Sequence, residues 1–227
     1  VTPGGLARAL LDLVYPPRCA ACGAGTDGAP FCIPCDRALL EVPEGCPRCG
    51  APGPAAPCGA CAAHPPAFDA VRAGGLFGGP LADAIHRLKY GDRPALARPL
   101  GVWLAARVRL PEGADVISVP LARGRRVERG YDQAHLVADA LARAAGLKRL
   151  RGALHRVRET PPQVGKTREE RARNVAGAFS AEPWVVGRSI VLVDDVVTTG
   201  ATADAAARAL RAAGSVAVVV AALARAE

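Results

Sequence analysis

The chain is poor in aromatic residues and has no methionine: Phe, Tyr and Trp make up 4% of its 227 residues. A hydrophobic core made from this sequence must therefore rely on Ala, Val and Leu. Lysine is scarce too, with three against 26 arginines. No segment approaches the roughly 18 apolar residues of a membrane-spanning helix, which argues against membrane insertion. The longest apolar stretch, Val216 to Ala224, is short and strand-like. A secretory leader is not expected, because Arg8 and Asp12 interrupt the N-terminal apolar stretch. There the spacing of Leu6, Ala9, Leu10, Leu13 and Val14 predicts a short docking helix. These absences point to a cytoplasmic protein.

Cysteine, by contrast, is concentrated. All eight residues fall in four CxxC pairs, Cys19/Cys22, Cys32/Cys35, Cys46/Cys49 and Cys58/Cys61, separated by 9, 10 and 8 residues. A CxxC turn points two thiolates at one tetrahedral metal, and a second turn completes the shell. The pattern predicts two structural Zn²⁺ sites. Short loops favour sequential pairing, the first four cysteines around one ion and the last four around the other, although an interleaved arrangement also satisfies the spacing. A disulfide framework fits a reducing compartment poorly, and a redox function calls for one CxxC rather than four. So small a module has too little apolar content to fold by burial, so metal binding is expected to supply its folding energy.

The remainder reads as alternating strands and helices. Residues 1–62 are assigned to the N-terminal helix and cysteine module, 63–68 to a Pro-rich linker and 69–227 to an α/β domain. Strands are expected at 70–77, 115–119, 185–194 and 216–223. Helices are expected at 80–90, 95–109, 131–145 and 203–212. This order implies a parallel sheet with helices on both faces and a site at the strand carboxyl ends.

Residues 190–202 read IVLVDDVVTTGAT. A buried strand carries Asp194 and Asp195 at its carboxyl end, then turns through Thr198, Thr199, Gly200, Ala201 and Thr202 into a helix. Backbone N–H groups and hydroxyls at such a turn can hold a phosphate, with the helix dipole favouring its charge. The two carboxylates can accept hydrogen bonds from vicinal sugar hydroxyls. Charge supports an anion site: residues 121–173 carry +8, equal to the whole chain's +8, whereas residues 1–62 carry −1. Two Zn²⁺ ions on eight thiolates would make the cysteine module more acidic by about four units, so nucleic acid is expected to contact residues 121–173 instead.

Residues 190–202 resemble the 5-phosphoribosyl-1-pyrophosphate (PRPP) motif of type I phosphoribosyltransferases. Together with SVPLARGRRVERGYDQ at 118–133, TPPQVGKTREERARN at 160–174, LKYGDR at 88–93 and the CxxC pairs, the chain resembles the ComF family, competence-associated proteins with a double zinc ribbon and a phosphoribosyltransferase domain. The resemblance implies that Asp194 and Asp195 bind ribose hydroxyls as the catalytic pair and that residues 198–202 bind the 5′-phosphate. It places Leu121, Ala122, Arg123 and Arg126 in a pyrophosphate loop, and Gln163, Lys166, Arg168 and Arg171 in a flexible loop over PRPP. Mg²⁺ would bridge ribose and pyrophosphate oxygens. It further implies single-stranded DNA and proteins of the DNA-uptake machinery as partners. Two residues depart from the family pattern: Asp132 stands where Asn is usual, and Lys166 where an apolar residue is usual.

No acceptor half is recognisable beside the PRPP half. The chain after Leu223 is too short for a purine-holding hood, and Thr198 occupies the position where 6-oxopurine salvage enzymes carry an Asp. A hydroxyl is a poor general base near neutrality, so such a salvage activity is not expected. A transferase with another acceptor and a PRPP-sensing regulator remain alternatives to a DNA-handling role.

Overall fold

The computed structural model describes residues 16–91, 93–160 and 168–226. The expected N-terminal docking helix lies outside them. Two short helices, α1 (Ile33–Arg37) and α2 (Gly59–Ala63), belong to the cysteine module. The α/β part then runs β1 (Ala70–Leu76), α3 (Gly79–Tyr90), α4 (Ala97–Arg107), β2 (Asp115–Ser118), α5 (Arg123–Arg129), α6 (Gln133–Ala145) and β3 (Lys148–Arg149). It continues with β4 (Leu154–Arg156), α7 (Arg168–Val175), β5 (Phe179–Ala181), β6 (Ser189–Val197), α8 (Ala201–Ala212) and β7 (Ala217–Arg225).

Five strands form a parallel sheet in the order β1-β7-β6-β2-β3, while β4 and β5 make a separate antiparallel pair. The central strands β6 and β7 are covered on both faces, which explains their nearly unbroken Val, Leu and Ala runs. Alternate residues feed two cores. On one face Val116, Val191, Val193, Ala221 and Leu223 pack with α3, α4 and α6. On the other, Ile117, Ile190, Leu192, Val220 and Ala222 pack with α8. Small residues let helices approach: a Cβ on Gly101 of α4 would lie 2.6 Å from the Cβ of Ala140 in α6.

The chain leaves β2 toward β3 but leaves β6 toward β7, in opposite directions. That divergence opens a crevice between the carboxyl ends of β2 and β6, where ligands of open α/β sheets bind.

Each half of the cysteine module joins a different core. Cys19, Phe31 and Leu39 pack with α3 and α4, and the Phe31 ring meets Trp103 edge-on at 5.6 Å. Cys46, Cys49 and Cys61 pack with Phe68 and Val71. Residues 63–68, read from sequence as a linker, are tied to the domain. Phe68 is buried, the Ala67 N–H donates to Asp204 at 2.6 Å, and the Arg48 guanidinium donates to the Pro66 carbonyl.

Three sequence expectations shift. The acid-bearing strand does not stop at Asp194. It runs from Ser189 through both acids to Val197, while Val185 lies in a 3₁₀ turn. The stretch that the resemblance places in a pyrophosphate loop continues from Arg123 as helix α5, ended by Gly130 in the left-handed region at φ 72°. The latter part of the expected flexible loop is helix α7.

Candidate functional site: an acid-and-arginine cleft and two four-cysteine clusters

Cys19/Cys22 and Cys46/Cys49 lie in tight turns, with Gly23 and Gly50 at positive φ after the second cysteine, whereas Cys32 and Cys58 precede α1 and α2, which carry Cys35 and Cys61. The structure pairs the knuckles sequentially. The sulfurs of Cys19, Cys22, Cys32 and Cys35 lie within 4.8 Å of one another, as do those of Cys46, Cys49, Cys58 and Cys61. The Cys22–Cys32 and Cys49–Cys58 Sγ distances are 3.6 and 3.7 Å. A tetrahedron with Zn–S bonds of about 2.3 Å has an edge of about 3.8 Å, so both clusters fit zinc without rearrangement. Burial works to raise the thiol pKa of Cys19 and Cys46. Backbone hydrogen bonds from the following knuckle residues outweigh it and hold both near about 6.

A cleft of about 360 Å³ opens at the carboxyl ends of β2 and β6. Asp194 and Asp195 face it from β6. They differ in environment because neighbouring strand residues point to opposite faces. Asp195 is 7% exposed and held from two helices: Lys89 Nζ of α3 lies 2.8 Å from its Oδ1, and Gln133 Nε2 of α6 donates to its Oδ2 at 2.7 Å. Burial alone would raise its pKa, but Lys89 and Gln133 reverse the sign and hold it below the usual Asp value. Among the described residues, Asp194 has no such cation in contact. Burial first, then the charge of Asp195, push it up to about 7, against a hydrogen bond from the Asp195 N–H at 2.8 Å.

The turn after β6 follows from Gly200, whose φ of 79° suits glycine and which precedes α8. The Gly200 carbonyl accepts from Asp204 N–H at 2.8 Å, and Thr199 Oγ1 accepts from Ala201 N–H at 3.4 Å. Residues 196–203 line a small hollow with Asp194 at the N-terminus of α8. Thr198, Thr199, Gly200, Ala201 and Thr202 are thus brought together beside Asp194.

The arginines sort by helical period. Arg125 and Arg129, four residues apart on α5, line the acid cleft with Arg156 of β4 and Arg171 of α7. Arg123 and Arg126 instead line a second cavity of about 550 Å³ on the other side of the loop, with Arg149, His135 and His155. Leu121 lines both cavities, whereas Ala122 is buried as the residue preceding α5. Arg171 donates to Thr198 Oγ1 at 2.9 Å. Gln163 and Lys166 lie outside the described residues, and only the backbone of Arg168 is described, as the first residue of α7.

The segment RGYDQ at 129–133 assembles the cleft wall. The Arg129 guanidinium stacks 4.8 Å from the Tyr90 ring centroid. Tyr131 donates its hydroxyl to the Leu88 carbonyl, which makes it a strut to α3. Asp132 Oδ1 caps α6 by accepting from His135 N–H at 3.0 Å, and its Oδ2 accepts from the Leu121 N–H at 3.1 Å. An Asn has one acceptor oxygen and could not make both bonds in this way. The carboxylate at 132 therefore ties the loop to the helix. Gln133 completes the set on Asp195. Sequence reading gave no role to Lys89 or Gln133. Their signal lay in the LKYGDR and GYDQ stretches, and in a lysine persisting where Arg is the default cation.

Two buried donors on the cleft, Arg129 Nη1 and Arg156 Nε, have no hydrogen-bond partner among the described residues. A buried unsatisfied donor costs about 1–3 kcal/mol.

Over residues 10–63 the chain matches the double zinc ribbon domain, and over residues 130–227 the phosphoribosyl transferase domain. It is 35% identical over 201 residues to DNA utilization protein YhgH of Escherichia coli (strain K12), covering 84% of this chain and 88% of that protein. Competence protein F of Haemophilus influenzae is 32% identical over 210 residues, covering 86% and 90%. The chain belongs to the ComF family. Among solved structures, an allosteric regulatory enzyme of purine biosynthesis aligns with 61% of this ComF chain and 30% of its own, at 24% identity and a TM-score of 0.44. Among the described residues of this ComF protein, no helix is long and apolar enough to cross a membrane.

Proposed function

We propose that this ComF protein binds PRPP with Mg²⁺ in the acid-and-arginine cleft and serves the uptake or processing of single-stranded DNA. The observation that carries the PRPP reading is the convergence of Arg125, Arg129, Arg156 and Arg171 with Asp194, Asp195, Thr198 and Thr202 on one cleft. In this reading the turn at 198–202 and the N-terminus of α8 take the 5′-phosphate. Asp194 accepts from ribose hydroxyls, and Asp195 is held in register by Lys89 and Gln133. Arg125, Arg129, Arg156 and Arg171 take the pyrophosphate. Asp194 and Asp195 would hold Mg²⁺ with the ligand, where it would neutralise phosphate charge. The DNA role is supported by the names of the relatives, which speak of DNA utilization and competence. Calorimetric titration with PRPP and Mg²⁺ tests the first part, and no heat at millimolar ligand would end it.

One observation favours a transferase as the second reading. Phe77, Tyr90, Val196 and Ala226 give the same cleft an apolar side, and Tyr90 is 72% exposed. A flat acceptor could lie there. Turnover of radiolabelled PRPP separates the two readings. Hypoxanthine and guanine are expected to give no nucleotide, because Thr198 cannot act as their general base.

Helical sorting of the arginines predicts separable effects. Arg125→Ala/Arg129→Ala should weaken Mg–PRPP binding at least tenfold, at about 1.5–3 kcal/mol per lost charged contact, and leave oligonucleotide binding less affected. Arg123→Ala/Arg126→Ala should do the reverse and flatten the salt dependence of oligonucleotide binding measured by anisotropy. Equal effects of both pairs on both ligands would mean that α5 offers a single anion surface.

The raised pKa of Asp194 makes PRPP affinity depend on pH. The ribose hydroxyls need the carboxylate, so binding strengthens from about pH 6 to about pH 8 and releases a proton at the lower end. Without ligand the sign is opposite for folding: the contribution of Asp194 to stability is full below its ordinary value of 3.8 and is lost as pH rises through about 7. Calorimetry in two buffers of different ionisation enthalpy reads the proton directly, and a pH-independent affinity would contradict it.

A further inference from the structure

Arg225, the last residue of the interior strand β7, is a buried arginine, 7% exposed. Among the described residues it has no carboxylate partner. All its hydrogen bonds go to carbonyls: Nε to Cys49 at 3.1 Å, and Nη1 to Val197 at 3.1 Å, to Thr198 and to Ala226. One side chain therefore joins the backbone of the second four-cysteine cluster to the backbone that opens the phosphate turn. Burying a cation without a counter-charge is costly. A Zn²⁺ on four thiolates carries a net charge of about −2, and Cys49 puts the guanidinium beside such a cluster. The first cluster also has an arginine, Arg87 of α3, whose Nη1 donates to the Cys19, Ala20 and Ala21 carbonyls at 3.2, 3.0 and 2.8 Å. Those bonds keep Arg87 on the first cluster and away from the turn, so that cluster serves as an internal control.

We propose that Arg225 is a positioning residue that fixes the Val197–Thr198 backbone against the second cysteine cluster, so that metal loading at Cys46, Cys49, Cys58 and Cys61 and sugar-phosphate binding are thermodynamically linked. The inference rests on the PRPP reading. Its chemistry is simple: the guanidinium holds the Val197 and Thr198 carbonyls away from the anion, leaving the N–H groups at the helix N-terminus directed toward it. When the cluster loses its metal and its charge, the anchor at Cys49 loosens and the turn loses its fixed geometry.

Linkage is reciprocal, which gives a test independent of catalysis. The full-length zinc-loaded protein is challenged with a chelator and N-ethylmaleimide, with and without Mg–PRPP, and the alkylated cysteines are mapped by peptide mass. PRPP should protect Cys46, Cys49, Cys58 and Cys61 at least fivefold and leave Cys19, Cys22, Cys32 and Cys35 nearly unchanged. Arg225→Gln should keep two zinc ions, weaken Mg–PRPP at least fivefold and abolish the selective protection. Arg225→Lys should restore part of both. Equal protection of the two clusters, or none, in a wild-type protein that binds PRPP would overturn the linkage. A wild-type protein that binds no PRPP overturns the underlying reading and the linkage with it. If Arg225→Gln fails to fold, the cluster-resolved protection of the wild type decides alone.

Discussion

Asp194→Asn is expected to weaken Mg–PRPP binding at least tenfold with little change in folding stability, whereas Asp195→Ala should damage both. The two acids are neighbours in sequence but differ in what they hold. Asp194 faces the turn hollow without a cation in contact among the described residues. Removing its charge forfeits charged hydrogen bonds to ribose, about 1.5–3 kcal/mol each, and relieves its repulsion with Asp195. Asp195 is the acceptor for Lys89 and Gln133, which come from two different helices. Its loss strands a largely buried ammonium and a buried amide. Breaking a buried pair by removing one partner costs about 3–5 kcal/mol, a large share of the stability of a domain this size. Urea denaturation of the ligand-free variants reads the second effect, and calorimetry the first. If Asp194→Asn binds PRPP like the wild type, the ribose lies elsewhere. If Asp195→Ala is as stable as the wild type, the Lys89 contact is not maintained in solution.

Removing zinc should be the most damaging change of all. Untagged protein should contain two zinc ions per chain by elemental analysis, held by the two clusters whose geometry already matches a tetrahedral shell. Structural zinc supplies about 10–16 kcal/mol of folding free energy at neutral pH in small zinc modules. Chelation should therefore unfold residues 19–61 first, seen as fast hydrogen exchange there. The damage should then spread by two routes, since Cys19, Phe31 and Leu39 pack with α3 and α4, while Cys46, Cys49 and Cys61 pack beside Phe68 and Val71. Substituting Cys22 should expose the first route and substituting Cys58 the second. A zinc content near zero in folded protein would refute both sites.

Much of this was legible in the chain. Four CxxC turns determine two tetrahedral clusters because the thiol spacing within a turn is local geometry, and the short loops between turns favour sequential pairing. The runs of Val, Leu and Ala in β6 and β7 determine a sheet buried on both faces, because side chains that alternate between two apolar cores leave no polar stripe. The acids followed by Thr-Thr-Gly determine a turn into a helix N-terminus. These features depend on residues close together in sequence.

What the sequence left open depends on residues far apart in it. The family resemblance places Arg123 and Arg126 in a pyrophosphate loop and says nothing of how the arginines of the run 123–129 share faces. As a helix, the same run sends Arg125 and Arg129 to the acids and the other two to a different cavity, because a turn of 3.6 residues decides which side chains share a face. The roles of Lys89 and Gln133 required α3 and α6 to meet over one face of β6. Asp132 stands out in the sequence only as a departure from the usual Asn, and the fold sets the Leu121 and His135 amides at its two oxygens. Arg225 lies beyond the strand expected at 216–223 and carries no motif. Only the packing of the second cluster across the end of β7 gave it carbonyls on both sides. Local pattern thus determined the elements and the metal clusters, while tertiary packing decided which charges face one another, because electrostatic partners are chosen by distance in space.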